Sequence, residues 1–385
     1  MDARVTGAEA RIMRLLRAAV VAAALGSLLA GCHGGPHVKS VVGGLQYPAA
    51  FTLGESSNVF FYAERNTGEI RRRNIANGND NLVWTVSNVL SDGERGLLGV
   101  ALHPDYPTQP YLYAYASRLV NGEARSQVLR IRTVSGVGVS QTAIVNIPDS
   151  TAFHNGGRIL FGPDGNLFVV IGEDLNPQNA QGIYGNVNVY GKVLRIAPDG
   201  SIPAGNPFNS SWIWAYGIRN SFGFTFDPAT NALWLSDNGP NCNDEINRIV
   251  MRGNYAWGPE ETCATPPAPP LNTNQSGPDR RLPQRFWADA VGITGVAFCS
   301  QCGLGAAHEG KLFVGFVDGT IRELTLNAAR TSVVSETVLL QHSRAVLSLE
   351  TRPGQPVYFS DSQGINRLTL VGPASVESVE AITSG

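Results

Sequence analysis

Five short stretches concentrate side chains that can move protons, hold anions or bind a hard cation. His154-Asn-Gly-Gly-Arg158 sets an imidazole among glycines that let backbone approach it closely. An imidazole titrates at about 6.5 in water and can therefore serve as a general base near neutrality. Tyr216-Gly-Ile-Arg-Asn220 offers Arg219, suited to an anion or a carbonyl oxygen, and the amide of Asn220. Asp92-Gly-Glu-Arg-Gly96 and Gly172-Glu173-Asp174 add the carboxylates Glu94 and Glu173. Asp237-Asn238-Gly239-Pro240, followed by Asp244-Glu245, interleaves carboxylates with Gly-Pro and Asn. That mixture suits an irregular Ca²⁺ loop, because Ca²⁺ takes carboxylate and backbone carbonyl oxygens together, although the spacing is not that of an EF-hand. Plainer roles stand beside each of these. Arg219 can pair with a core carboxylate, and Asp237, Asp244 and Glu245 can simply form turns. Of six histidines, His33 and His37 fall in a leader-proximal tether, and His103 sits in a His-Pro-Asp turn suited to capping. His308 and His342 lack comparable polar company, so His154 stands apart.

These stretches need a scaffold that brings them together, and a repeat supplies one. An alternating apolar-aromatic strand, a polar turn and a second strand ending near Arg recur six times. Phe60, Tyr113, Phe168, Trp234, Phe313 and Tyr358 mark equivalent positions, 53, 55, 66, 79 and 45 residues apart. Period-two alternation indicates half-buried strands. Glycine-rich apolar segments such as 96–102, 157–161, 222–226 and 295–298 precede most copies and predict a further strand in each unit. Six units of about four antiparallel strands predict an all-β six-bladed propeller, which protects its sheet edges by radial closure. The innermost strand of each blade then starts at one mouth of a central channel. The chemistry-bearing stretches lie just before those strands or just after their neighbours. The long fourth step contains a Pro- and Asn-rich insertion at 259–285.

Composition agrees with this picture. The chain has 385 residues, 43 of them Gly, only 16% charged, and a formal net charge of −2. Many glycines with few charges mean many turns, not disorder. The charge gives no reason to expect nucleic acid as a partner. Arg11, Arg14 and Arg17 precede an apolar run ending in Leu29-Ala30-Gly31-Cys32. This predicts a lipoprotein signal over 1–31, cleavage before Cys32, and a lipid on that cysteine that ties the protein to the cell envelope. His33 after the cysteine suggests the outer membrane, facing the periplasm. Residues 32–44 read as a tether, 45–372 as the propeller and 373–385 as a tail. Four further cysteines in an oxidising compartment predict the disulfides Cys242–Cys263 and Cys299–Cys302. A zinc site at Cys299-x-x-Cys302 lacks a second ligand pair, and a thioredoxin-like role lacks a following helix.

In their order along the chain these motifs resemble the glucose/sorbosone dehydrogenase family, the PQQ-dependent soluble aldose dehydrogenases. The likeness rests on Gly-Leu-Leu-Gly-Val-Ala-Leu-His-Pro-Asp-Tyr (96–106), His154-Asn-Gly-Gly-Arg with Phe161-Gly-Pro-Asp-Gly165, and Gly191-Lys-Val-Leu-Arg-Ile. It continues in Tyr216-Gly-Ile-Arg-Asn220, Gly239-Pro with Asp244-Glu-Ile-Asn247, and Gly253-Asn-Tyr-Ala-Trp257. The resemblance implies a six-bladed propeller with the quinone PQQ over the channel mouth, held partly by Ca²⁺. It implies a small-molecule sugar substrate and an external electron acceptor that the sequence does not name. His154 would be the base at the anomeric hydroxyl, with hydride passing to the quinone. Arg219 would stabilise charge on the quinone oxygen. Glu94 and Glu173 would lie on the substrate side, and Asn220, Asn238 and Arg344 would contact the cofactor. The carbonyls of Gly239 and Pro240 would bind its calcium, with Glu245 and Tyr255 at a second calcium site.

The chain departs from the family pattern in three places. No lysine follows the strand 312–317, Arg344 alone remains of a pair of arginines, and Phe222 stands where an amide is common. PQQ is a tricarboxylate, and each charge-assisted contact contributes roughly 1.5–3 kcal/mol. Two other readings stand beside this one: a lipid-anchored binding module of the hedgehog-interacting kind that has lost PQQ, which the missing lysine favours, and a Ca²⁺-dependent hydrolase, since other six-bladed propellers are lactonases.

Overall fold

The structure, a computed structural model, describes residues 36–183, 188–208, 210–259, 262–264 and 268–370. The signal segment, Cys32 and the tail at 373–385 lie outside them. Blade one consists of β2 (Pro48–Leu53), β3 (Val59–Glu64), β4 (Glu69–Asn74) and β5 (Asp80–Thr85), after an initial strand β1 (Pro36–Gly43). Blade two holds β6 (Leu97–Leu102), β7 (Tyr111–Val120), β8 (Glu123–Val134) and β9 (Val137–Pro148). Blade three holds β10 (Ile159–Phe161), β11 (Leu167–Ile171), β12 (Lys192–Ile196) and β13 (Ile213–Tyr216). Blade four holds β14 (Phe224–Phe226), β15 (Leu233–Asp237), β16 (Asp244–Ile249) and β17 (Arg285–Trp287). Blade five holds β18 (Ile293–Phe298), β19 (Leu312–Phe316), β20 (Thr320–Leu326) and β21 (Val333–Gln341). The chain ends with β22 (Ser348–Glu350), β23 (Tyr358–Asp361) and β24 (Gly364–Leu370).

Every sheet is four-stranded and antiparallel, and five of them are simple meanders, so the expected six-bladed propeller is the observed fold. The repeated hairpins are the two middle strands of each blade. Second strands such as β3, β11, β15 and β19 are buried along their whole length. Aromatic and β-branched residues dominate them because both of their faces pack against neighbouring sheets. Hydrophobic clusters fill the spaces between blades, for example Tyr113, Tyr115, Ile159, Val169 and Leu194 between blades two and three. The glycine excess has a use on the inner strands. A Cβ on Gly99 would stand 2.4 Å from Gly157 O, and one on Gly295 would stand 2.7 Å from Leu349 N. Only glycine permits such close strand approach.

The N-terminal boundary needs correction. Residues 36–43 are not tether. They form β1, which pairs with β24 from Pro36↔Leu370 to Gly43↔Gly364 and completes the sixth sheet in the order β1-β24-β23-β22. The ring is thereby closed by both ends of the chain. The weak alternation of Pro36–Gly43 conceals this strand, since only Val42 is buried. The insertion is also wider than read: β16 ends at Ile249 and β17 begins at Arg285. Its first part runs beside β13, where Tyr216 N donates to Gly253 O (3.0 Å) and Tyr255 N to Tyr216 O (2.9 Å). Both expected disulfides are formed, with Cα–Cα distances of 5.9 Å for Cys242–Cys263 and 5.1 Å for Cys299–Cys302.

Candidate active site

The inner strands all start at one mouth of the channel, and the residues preceding them meet there. His154 comes just before β10 and holds a left-handed backbone (φ 60°), an uncommon state for a residue with a side chain. Glycines flank the strained turn: a Cβ on Gly172 would stand 2.2 Å from His154 O. His154 Nδ1 meets Glu173 Oε1 in a short hydrogen bond, and both side chains are buried. This leaves Nε2 as the ring nitrogen available for proton transfer. Burial, and secondarily the charge of Arg219, hold the imidazole well below its ordinary range, so it is neutral. Burial pushes Glu173 up to about 8, against the pull of Arg219.

Glu94 joins three blades. Its Oε2 accepts from His154 N (2.8 Å) and from Asn220 Nδ2 (2.9 Å). Asn220 and Arg219 precede β14, and their backbone N–H groups donate to the two oxygens of Asp237 at 2.7 and 2.9 Å. Arg219 Nη1 donates to Asn238 O (3.0 Å), and its guanidinium lies 5.4 Å over the ring of Trp257. Asn238 in turn exchanges hydrogen bonds with the backbone of Ile293 at the start of β18. Blades two, three, four and five thus contribute to one connected polar network.

Of the residues chosen from sequence, His154, Glu173, Glu94, Arg219, Asn220 and Asn238 are brought together. Glu173 orients the imidazole from behind, and Glu94 braces the backbone of His154. Arg344 precedes the inner strand of the sixth blade and pairs within that blade, its Nε 3.1 Å from Asp361 Oδ2. His342 shares that carboxylate through Nε2 at 2.8 Å. Arg65 escaped sequence reading: it donates to Gly93 O and lies 5.4 Å over the Tyr47 ring, under the Glu94 loop. A lone Arg after β3, Glu64-Arg65-Asn66, carries no signal that separates it from any turn. The sequence offers Asp237 as a turn-former or a Ca²⁺-loop carboxylate; its role of pinning two backbone N–H groups needs the third dimension.

Beside this network a small cavity, with room for about one water-sized particle, is lined by Asp237, Gly239, Asn243, Glu245, Tyr255 and Asn274, among others. Burial, and then the charge of Asp237, drive Glu245 well above the carboxylate range. Asn243 Oδ1 and Asn247 Oδ1 are buried acceptors with no donor. Gly239 is required in its turn, because a Cβ there would stand 1.8 Å from Cys242 O. Tyr255 spends its hydroxyl locally, donating to Arg248 O (2.7 Å) and accepting from Val250 N (2.9 Å), so only its carbonyl could face an ion. Among the described residues no three His, Cys, Asp or Glu side chains converge as a metal cluster. The surplus of oxygen acceptors nevertheless fits a hard cation bound through amide and carbonyl oxygens. At the mouth, Arg219 Nε and Trp257 Nε1 are buried donors without acceptors, which fits an anionic ring system.

A closed six-bladed propeller whose mouth pairs a buried imidazole–carboxylate couple with an arginine defines a propeller enzyme scaffold. The profile of the Glucose / Sorbosone dehydrogenase family matches residues 45–369, and the chain belongs to that family. It is 28% identical over 328 residues to the aldose sugar dehydrogenase YliI of Escherichia coli, covering 80% of this chain and 85% of that one. It is 33% identical over 249 residues to quinoprotein glucose dehydrogenase B of Acinetobacter calcoaceticus, covering 57% and 52%. The apo-form crystal structure of the soluble aldose sugar dehydrogenase from Escherichia coli superposes with a TM-score of 0.75 at 26% identity, covering 88% of this chain and 99% of that one.

Proposed function

We propose that the protein oxidises an aldose sugar at the anomeric carbon with PQQ as its redox partner. The observation that carries this reading is the buried His154–Glu173 pair facing Arg219 across one mouth. PQQ, when bound, supplies a two-electron acceptor for the hydride leaving the sugar carbon. The chain's own residues do the rest. With Glu173 ionised, its carboxylate accepts a hydrogen bond from Nδ1–H, which keeps the ring proton on Nδ1 and leaves Nε2 free to take the anomeric hydroxyl proton. Glu94 fixes the backbone of His154 and the amide of Asn220 in one geometry. Arg219, held by Asn238 O and Trp257, brings a fixed positive charge to the place where negative charge accumulates. Asn220, Asn238 and Arg344 would contact the cofactor. The carbonyls of Gly239 and Pro240 would bind its calcium, and Glu245 with the Tyr255 carbonyl would hold a second ion.

The leader features support an exported protein carrying lipid on Cys32, at the outer membrane and facing the periplasm. The test of function adds PQQ and Ca²⁺ to purified protein and follows dye reduction with a panel of aldoses, cofactor absorbance and melting temperature. Reduction with at least one aldose is expected. No reduction, with absorbance and melting temperature both unmoved, would overturn the reading.

A further inference from the structure

Between residues 251–252 and 278–281 lies a groove of about 520 Å³, within the range of roughly 300–1,000 Å³ usual for small-molecule sites. Its walls carry Arg252, Arg280 and Arg281, one carboxylate, Asp279, and the aromatic rings of Phe208 and Tyr216. Three guanidinium groups in one groove stand out on a chain whose net charge is −2. None of the three is in an ion pair among the described residues. Two are oriented in advance. Arg252 lies 5.2 Å over the Phe208 ring and donates to Pro207 O (3.2 Å), while Arg280 Nη1 donates to Gln275 O (2.8 Å). Arg252 also holds a left-handed backbone (φ 64°), a cost that a plain turn would avoid with glycine.

We propose that this groove binds a carboxylate-bearing sugar, a uronate unit of an acidic saccharide. Guanidinium forks match a carboxylate with two parallel hydrogen bonds. Half-buried Phe208, with Arg252 over its ring, and Tyr216, 6% exposed beneath it, give the groove an apolar floor beside the guanidinium groups, the mixture of apolar walls and a few placed polar groups that ligand pockets use. One segment runs along both cavities: Arg252 lines the groove, and Tyr255 and Trp257 line the small cavity beside the mouth. Naming a saccharide, as opposed to another carboxylate, rests on the sugar-oxidising reading of the mouth.

Calorimetric titration of the full chain without cofactor separates the two ideas, because no turnover is involved. Trigalacturonate is the probe, with maltotriose as its neutral counterpart and succinate as a carboxylate without a sugar ring. Trigalacturonate is expected to bind more weakly as salt rises, and the other two to bind at least ~10-fold less tightly. The double substitution Arg280→Ala/Arg281→Ala, and separately Arg252→Ala, should each weaken trigalacturonate about 10-fold or more. The thermal midpoint should not move in the double variant. Maltotriose or succinate binding as tightly, no binding of trigalacturonate, or binding indifferent to both sets of substitutions would each overturn the proposal. Failure of aldose oxidation with the acidic saccharide still bound would leave the groove assigned and the mouth in question.

Discussion

Arg158 and Glu350 meet in the central channel from opposite sides of the ring. Arg158 leads into blade three, and Glu350 ends the inner strand of blade six. The arginine also donates to Ser348 Oγ at 2.9 Å, and both charged side chains are almost wholly buried. Burial raises the Glu350 carboxyl, and Arg158 is the first of the charges that pull it back. A buried pair broken on one side leaves an uncompensated charge, whereas two apolar replacements leave none. Arg158→Met should therefore cost about 3–5 kcal/mol, and Arg158→Met/Glu350→Met should recover most of that loss. Urea unfolding measures both; a double variant no more stable than the single one would refute the pairing.

Activity should climb with pH. Glu173 is held up to about 8, and the imidazole is neutral across the working range. When Glu173 is protonated it donates to Nδ1, the ring proton sits on Nε2, and the base is lost. Turnover should therefore rise roughly tenfold per pH unit below about 8 and level off above it. Glu173→Gln keeps a hydrogen-bond partner without a titration, so its profile should be flat. A rise that persists in that variant would assign the titration elsewhere.

His154→Ala removes the proton acceptor together with the partner of Glu173. Turnover should fall by about 10²–10⁴-fold, while PQQ absorbance changes on titration stay close to those of the parent. Undiminished turnover would exclude His154 as the base.

Calcium should matter for stability. Asp237, Asp244 and Glu245 are buried close together, and burial raises all three carboxyls. A bound cation relieves that repulsion, so chelation should lower the melting temperature and Ca²⁺ should restore it. In Glu245→Gln the difference between chelated and calcium-loaded protein should shrink. A melting curve indifferent to both treatments would remove calcium from the account.

The two disulfides should contribute unequally. Cys242–Cys263 closes a separation of 21 residues and Cys299–Cys302 one of 3. On chain entropy alone the first is worth about 3 kcal/mol and the second about 2. Paired Cys→Ser substitutions with chemical denaturation read the two values, and a larger loss from Cys299/Cys302 would contradict this order.

The middle hairpin of every blade was legible because alternation over four to six residues is a local signal with a strong aromatic marker. The meeting of His154, Arg219 and the Asp237 loop at one mouth was legible because the residues before the inner strands of a propeller fall at fixed points of its repeat. Partners across blades were not. Nothing near Glu94 says that it touches His154, and nothing near Asp237 says that it receives the N–H groups of Arg219 and Asn220. β1 was missed for a related reason: its pairing partner lies more than three hundred residues away, and its own pattern is weak. Six-fold closure was itself the clue, since the last three strands need a fourth and only the start of the chain can supply it.

That closing strand would also decide which way a lipid-anchored form of the molecule points. β24 leaves the mouth at Gly364 and reaches the far face at Leu370, so its partner β1 begins at the far face with Pro36. Whatever precedes Pro36 departs from the underside of the disc. A lipid on Cys32 would be four residues away, at most about 14 Å of extended chain. On so short a leash the disc would lie with its underside to the bilayer and its mouth turned outward to the aqueous space, where a sugar could reach it without crossing the lipid surface.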